Sequence, residues 1–216
     1  MIRLAHKYYI PSIQEQALRA LQVYVFTSDF DTYFGPPKGH VRAHSIQPIG
    51  AVNIARLTDT PLMLPTALYA CCQMGGGLLD GWTREDGIVE HLAIDDAKRC
   101  FDAYVTLARE QALVPSCLFA AVPPNRCTER GRCSPSITAL ASNAGLVEAM
   151  MQEDVLTDRS ALIRAIRPRS VCEGCTQVLL ERDRSRRERL WDRLPQIFGI
   201  PVEGWVKPSG SGGTQS

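Results

Sequence analysis

Four cysteines in the C-terminal half of the chain carry the residue types and spacing that could do chemistry. Cys127 and Cys133 are separated by five residues in a Pro/Arg-rich stretch, and Cys172 and Cys175 form a C-x-x-C ahead of a helical pattern. A C-x-x-C at a helix start lets two thiolates bind one ion, and Zn²⁺ favours four thiolates in a tetrahedron. Arg126, Arg130 and Arg132 flank the first pair, and neighbouring cations favour thiolate over thiol. The expectation is one structural zinc site, with Cys127, Cys133, Cys172 and Cys175 as ligands, tying a Pro/Arg loop to the last long helix. The spacing of the first pair is wider than that of common zinc motifs, and two other uses of these residues stay open. All four could be free thiols, packed as small hydrophobes. Alternatively, Cys172 and Cys175 could form a thiol–disulfide redox centre at a helix N-terminus, although the βαβ pattern of thioredoxin-like motifs is missing.

Other candidates weaken on inspection. Cys71, Cys72, Cys100 and Cys117 lie on or beside apolar helix faces, where core packing accounts for them. Adjacent helical residues such as Cys71 and Cys72 point about 100° apart and do not chelate one ion together. His6, His40, His44 and His91 are dispersed, and no Ser/His/Asp or Cys/His arrangement is readable. Gly75-Gly76-Gly77 has neither the spacing nor the Lys-Ser/Thr of a phosphate loop. The run from Arg182 to Arg189 suggests nucleic-acid binding, but Glu181, Asp183, Glu188 and Asp192 interleave its arginines. Those acids offer helical i,i+3 and i,i+4 partners, and no aromatics stand ready to stack on bases. The expectation is a solvated, self-paired helix, with nucleic-acid binding as an alternative function.

The elements that must position the cysteines are mostly helical. Pro11 suits a first helical turn, Ser12 and Glu15 have capping-box spacing, and Ile13, Ala17, Ala20, Leu21 and Tyr24 recur at helical intervals. Residues 27–47, with Gly35-Pro36-Pro37-Lys38-Gly39, read as a surface loop. Pro48 to Leu57 is apolar nearly all round and reads as a buried helix. Leu64, Ala67, Leu68, Cys71 and Cys72 form a clean helical stripe that ends at the glycines. Asp86-Gly87 signals a tight turn between short strands, with Trp82 capping the core rather than forming a recognition surface. Ala93 to Leu113 predicts a long helix with Ala97, Cys100, Phe101, Tyr104, Val105 and Ala108 on its buried stripe and Pro115 as its stop. A further amphipathic helix is expected from Pro135, and a short one from Ser160 to Ile166, closing at Pro168. The Gly/Ser-rich stretch from Pro208 to Ser216 is expected to be disordered. The fold class is therefore mainly α: an irregular helical domain with one short β-hairpin and a C-terminal segment that zinc could clamp.

Composition narrows the class further. The chain has 216 residues, 45% of them hydrophobic and 22% charged, with a net charge of +1. That is an ordinary globular balance, with no global field to recruit nucleic acid or an acidic membrane. No apolar run approaches the roughly 18 residues of a membrane helix, so no membrane association is expected. The opening MIRLAHKYYIP lacks a sustained apolar stretch, so secretion is not expected either. The eight cysteines then belong to a reducing compartment, cytoplasmic or nuclear.

One resemblance adds to this reading. Leu4-Ala5-His6-Lys7-Tyr8, followed by Ile10, Pro11, Ile13 and Leu18, resembles the last two helices of BTB/POZ domains. Phe26-Thr-Ser-Asp-Phe-Asp31, Val52-Asn-Ile-Ala-Arg-Leu-Thr-Asp59 and Gly81-Trp-Thr-Arg-Glu-Asp-Gly87 are similar to the region that follows the BTB fold in a group of fungal BTB proteins. So are Cys172-x-x-Cys175 and Arg189-x-Trp191-x-Arg193-Leu-Pro195. The resemblance implies a non-enzymatic, adaptor-like protein that works by protein–protein interaction. The β-sheet and first helices that carry most of that family's dimer interface have no counterpart after Met1, so dimerisation of the family's kind is not expected. The organisation that follows is a remnant of the BTB C-terminal helices (1–26), a surface loop (27–47) and a helical extension with a hairpin near 82–92 (48–121). A cysteine-clamped helical segment (122–200) and a disordered tail (201–216) complete it.

Overall fold

Proline placement and apolar spacing set most helix starts in the computed structural model, which describes residues 1–35 and 47–205. The expectations for residues 36–46, including His40 and His44, and for 206–216 lie outside the described residues. The described chain is mainly helical, with thirteen α-helices and one two-stranded antiparallel hairpin. None of these helices is long and apolar enough to cross a membrane. The fold forms two compact units: Met1–Tyr104 together with the chain from Asp192 onward, and Val105–Trp191.

In the first unit, α1 (Ile2–Lys7) packs on α2 (Pro11–Tyr24). Pro11 occupies the first turn of α2, but Ile10 is the N-cap and no side chain caps it. The expected Ser12–Glu15 capping box does not form, because Ser12 already lies inside the helix, where its hydroxyl cannot serve the N-cap position. The loop expected over 27–47 contains a short helix, α3 (Phe30–Phe34), which Asp29 caps by accepting the Thr32 N–H at 2.8 Å. α4 (Pro48–Leu57) is buried as expected through Ile49, Ala51, Val52 and Ala55, and packs on α5 (Leu64–Cys72). Leu64, Ala67, Leu68, Cys71 and Cys72 are all buried. After α6 (Gly77–Asp80), β1 (Trp82–Thr83) pairs with β2 (Val89–Glu90) around a turn closed by the Gly87 N–H on the Arg84 carbonyl. Glu90 pins the hairpin: Arg3 and Asn53 donate to its carboxylate, and Arg84 approaches it at 3.4 Å.

The long helix α7 (Ile94–Ala112) forms where expected, but it is turned. Cys100 of the predicted stripe is buried, together with Asp96, Ala103, Leu107 and Gln111, whereas Phe101, Tyr104 and Val105 are exposed. Two polar contacts fix the rotation. Arg56 grips the buried Asp96 carboxylate at 2.6 and 3.0 Å, and Arg99 donates to the Phe198 and Gly199 carbonyls at 2.9 and 2.7 Å. A bidentate pair held by a buried acid outweighs the choice between two apolar faces of similar width.

The second unit continues with α8 (Val114–Leu118), α9 (Arg130–Ala141), α10 (Ala144–Gln152), α11 (Ser160–Ser170) and α12 (Glu173–Asp192); a short α13 (Leu194–Ile197) returns to the first unit and packs on α5. Pro115 restarts the chain as α8, in a first-turn position where its missing N–H costs nothing. The amphipathic run expected from Pro135 begins earlier, at Arg130, and breaks at Asn143, which caps α10 by accepting the Leu146 N–H at 2.8 Å. Pro135 is carried inside α9. The helix expected to close at Pro168 runs on to Ser170.

The Arg-rich stretch of α12 is not the solvated face that its composition suggests. Arg184–Glu188 at 2.8 Å is the expected exposed i,i+4 pair, but Asp183, Arg186 and Arg187 are buried. Asp183 accepts from Arg187 at 2.9 Å and faces Arg159 at 3.9 Å, while Arg159 also contacts Glu153 at 3.1 Å and Arg187 contacts Asp158 at 3.4 Å. Burial pushes the Asp183 carboxyl up, and the two guanidiniums oppose it. Removing one member of such a network leaves the others desolvated without a counter-charge.

Two stability predictions follow from these contacts. A Cβ at Gly50 would stand 2.7 Å from the Trp82 ring, so Gly50→Ala is expected to cost about 1–3 kcal/mol through overpacking. Gly76→Ala, which meets nothing within 4 Å, serves as the control in the same urea titration. Asp183→Ala is expected to cost about 3–5 kcal/mol, the range for a broken buried ion pair; an unchanged urea midpoint would remove the network from any structural role.

Candidate metal centre

Two helix N-termini and one loop converge in the second unit. Cys172 immediately precedes α12, with its carbonyl accepting the Thr176 N–H at 3.0 Å, and Cys175 lies in the first turn. Cys133 lies in the first turn of α9, its N–H bonded to the Glu129 carbonyl at 2.9 Å. Cys127 follows a 3-10 turn, Pro124–Arg126. The first pair is therefore not wholly in a loop: starting α9 at Arg130 places Cys133 on a rigid element. Helix N-termini carry partial positive charge, which stabilises thiolates.

The four sulfur atoms all lie within 4.8 Å of one another. Cys133, Cys172 and Cys175 are buried and Cys127 is half-buried. The three buried thiols belong to a hydrophobic cluster with Leu118, Ile137, Met150, Ile163 and Leu179. The centre is thus built into the core of the unit rather than hung on its surface. The backbone N–H of Cys172 donates to the Cys133 sulfur at 3.2 Å, linking the two pairs directly.

The thiols differ in proton affinity. Burial alone would raise the Cys172 thiol, but hydrogen bonds from Thr128 and the Cys175 backbone overcome it and bring the group down to about 5. Burial pushes Cys175 strongly up, reinforced by the neighbouring Cys127, Cys172 and Cys133 side chains. Cys133 is raised by burial as well, against the Cys172 N–H. Four sulfurs this close cannot all be anionic by themselves, since like charges at a few Å in a core disfavour each other's ionisation. One divalent cation at their centre removes that conflict. The four cysteines lie close enough to hold a metal ion, and the set expected from spacing is the set that the fold brings together.

Two supports escaped the sequence reading. A Cβ on Gly174 would stand 2.0 Å from the Arg126 carbonyl oxygen, so only glycine lets the Cys127 loop lie against α12. The signal was present in Cys172-Glu-Gly-Cys175, as a glycine inside the motif. The second support is Arg182, which donates to the carbonyls of Leu118, Ala120 and Ala121 at 3.2, 2.5 and 2.7 Å. It holds the segment that leads from α8 into the cysteine loop, and the exposed pair Arg126–Glu181 at 2.9 Å fastens that loop further along.

The remaining cysteines divide. Cys71, Cys72 and Cys100 are buried in the first unit, as expected, and the Cys72 thiol donates to the Cys100 carbonyl at 3.5 Å. Cys117 departs from its expected packing role, because it is exposed on α8. Of the arginines proposed for nucleic acid, Arg182 serves the carbonyls above, Arg187 serves Asp183, and Arg186 donates to the Glu110 carbonyl. The chain matches no family model, no curated protein and no solved structure.

Gly174→Ala is expected to push the cysteine loop off α12. An overpacking cost of about 1–3 kcal/mol corresponds to roughly five- to 150-fold faster labelling of the buried thiols by a thiol reagent through local opening. Native-state labelling followed by peptide mapping of Cys133 and Cys175 reads the effect directly, and unchanged rates would show that the loop contact does not close the centre.

Proposed function

We propose that this protein is a non-enzymatic protein-interaction module, similar to a BTB-type adaptor, whose second unit is clamped by one structural zinc ion. The observation that carries the clamp is the approach of four cysteine sulfurs to within 4.8 Å of one another. Zinc–sulfur bonds of about 2.3 Å in a tetrahedron require sulfurs about 3.8 Å apart, a contraction within reach of side-chain rotation. Thiolates are soft ligands that select zinc over magnesium or calcium. A complete set of four leaves no open position for a substrate, which is the mark of a structural rather than a catalytic zinc site. Cys172 and Cys175 hold the N-terminus of α12, Cys133 holds that of α9, and Cys127 draws in the loop.

The adaptor part rests on the likeness of Leu4–Leu18 to the end of a BTB fold; a helical pair, α1 and α2, stands at that stretch. The alternative of a salt-dependent nucleic-acid surface is disfavoured because Arg182, Arg186 and Arg187 already serve groups of their own unit. The alternative of a Cys172/Cys175 redox pair has the low proton affinity of Cys172 in its favour. Burial of both sulfurs opposes it, because a redox centre needs access.

Metal analysis of freshly purified protein separates these readings. One zinc per chain is expected, lost together with helicity in Cys172→Ser and in Cys127→Ser. Metal-free protein that refuses zinc and shows a fast-reacting Cys172–Cys175 dithiol would overturn the clamp in favour of redox chemistry. For the adaptor part, proximity labelling in cells is expected to enrich a discrete set of proteins that Cys172→Ser loses. An enrichment no different from a tag-only control would remove that part while leaving the zinc result untouched.

A further inference from the structure

The turned helix α7 leaves an apolar stripe without cover. Ile94, Phe101, Tyr104 and Val105 are 69, 51, 59 and 51% exposed. At helical spacing they share one face with Ala97 and Ala108, a seam with the i, i+3, i+7 pattern of helices that pack in pairs. The buried face of the same helix, with Asp96, Cys100, Ala103 and Leu107, is already satisfied. Burying an aromatic side chain is worth a few kcal/mol, so four large exposed apolar residues in line mark a contact surface rather than chance exposure.

The charges beside the seam say what covers it. Along one flank stand Asp95, Lys98, Asp102 and Arg109. Asp95 and Lys98 form only a 3.7 Å exposed contact, and among the described residues no ion pair of Asp102 or Arg109 is present. The acids lie toward the N-terminal end and Arg109 toward the C-terminal end. In an antiparallel pair of α7 helices centred on Phe101, like flanks face each other across the axis. Ile94 of one copy then meets Ala108 of the other, and Ala97 meets Val105. Asp95 comes within about half a turn of Arg109, and Lys98 within about half a turn of Asp102. A parallel pair would set this flank across from the partner's opposite flank, where these charges do not meet one another.

We infer that the exposed face of α7 binds a second copy of this chain as an antiparallel helix pair with Phe101 at the two-fold axis. The interface is isologous, so the same residues serve both sides. It is independent of the cysteine centre and goes beyond the zinc-clamped adaptor reading. Like flanks meeting with opposite signs also set the register, because a shifted antiparallel register places Asp102 against Asp95 or Arg109 against Lys98.

Sedimentation velocity and light scattering on the full chain at micromolar concentration test this. The wild type is expected to be a dimer, and Phe101→Glu and Tyr104→Glu are each expected to raise the dissociation constant at least about tenfold, as centre-of-interface residues do. Because both side chains are exposed, unchanged helicity and unchanged metal content are expected for the variants. Asp102→Lys weakens the pair, and Lys98→Asp added to it restores association. A wild type that is monomeric in this range overturns the inference, even where another protein binds α7. So does a dimer indifferent to Phe101→Glu and Tyr104→Glu. Failure of the double charge reversal to recover any association overturns the antiparallel arrangement.

Discussion

The peptide between Arg126 and Cys127 lies against the first turn of α12, with the Arg126 carbonyl oxygen where a side chain on Gly174 would have to be. The geometry of the second unit depends on that approach. It brings Cys127 to the two cysteines of the helix mouth, and the Cys172 N–H reaches across to the Cys133 sulfur to complete the set. The Arg182 guanidinium holds the carbonyls that lead into the loop. The hydrophobic cluster then closes over three of the four sulfurs. Loop, cap and core are thus one construction, in which the motif glycine matters as much as the cysteines on either side of it.

The same helix carries the second constraint of the unit, the buried charges. Two guanidiniums, Arg159 and Arg187, share the Asp183 carboxylate out of water. Desolvating charged groups costs several kcal/mol each, and their mutual attraction recovers this only when the geometry is complete. Such a network adds little net stability but penalises any arrangement that separates α11 from α12. It therefore specifies the fold in a way that a patch of leucines would not. Its position a few turns from the cysteines means that α12 is fixed at one end by sulfur chemistry and along its length by charge.

How much of this was legible in the sequence depends on how far apart the interacting residues are. The stripe Leu64, Ala67, Leu68, Cys71 and Cys72 and the Asp86-Gly87 turn are local patterns, and both formed as read. The four cysteines were also legible, because residue type and spacing restrict ligand sets strongly. The burial of Asp183, Arg186 and Arg187 was not legible. An Arg/Asp/Glu interleave looks the same whether its charges face water or one another, and the partners Glu153, Asp158 and Arg159 stand more than twenty residues away. The rotation of α7 was missed for a related reason. The helix has two apolar faces, and Asp96, whose first-turn position locally suits only the helix dipole, is chosen for burial by a distant Arg56.

The protonation of the centre links these points to energetics. Without a cation, the strongly raised Cys175 and the raised Cys133 are neutral thiols, and neutral thiols behave as small hydrophobes. As neutral thiols they pack in the cluster with Ile137 and Leu179 as small apolar groups do. A dication changes the balance by displacing those protons and holding all four sulfurs as thiolates. Binding free energies for structural zinc in small domains reach roughly 10–16 kcal/mol at neutral pH, which equals or exceeds the whole net stability of an ordinary domain, about 5–15 kcal/mol. A metal held here would therefore govern whether the unit persists. Packing, the Gly174 approach and two helix N-termini all direct the four sulfurs to one point, which is the arrangement such an ion would need.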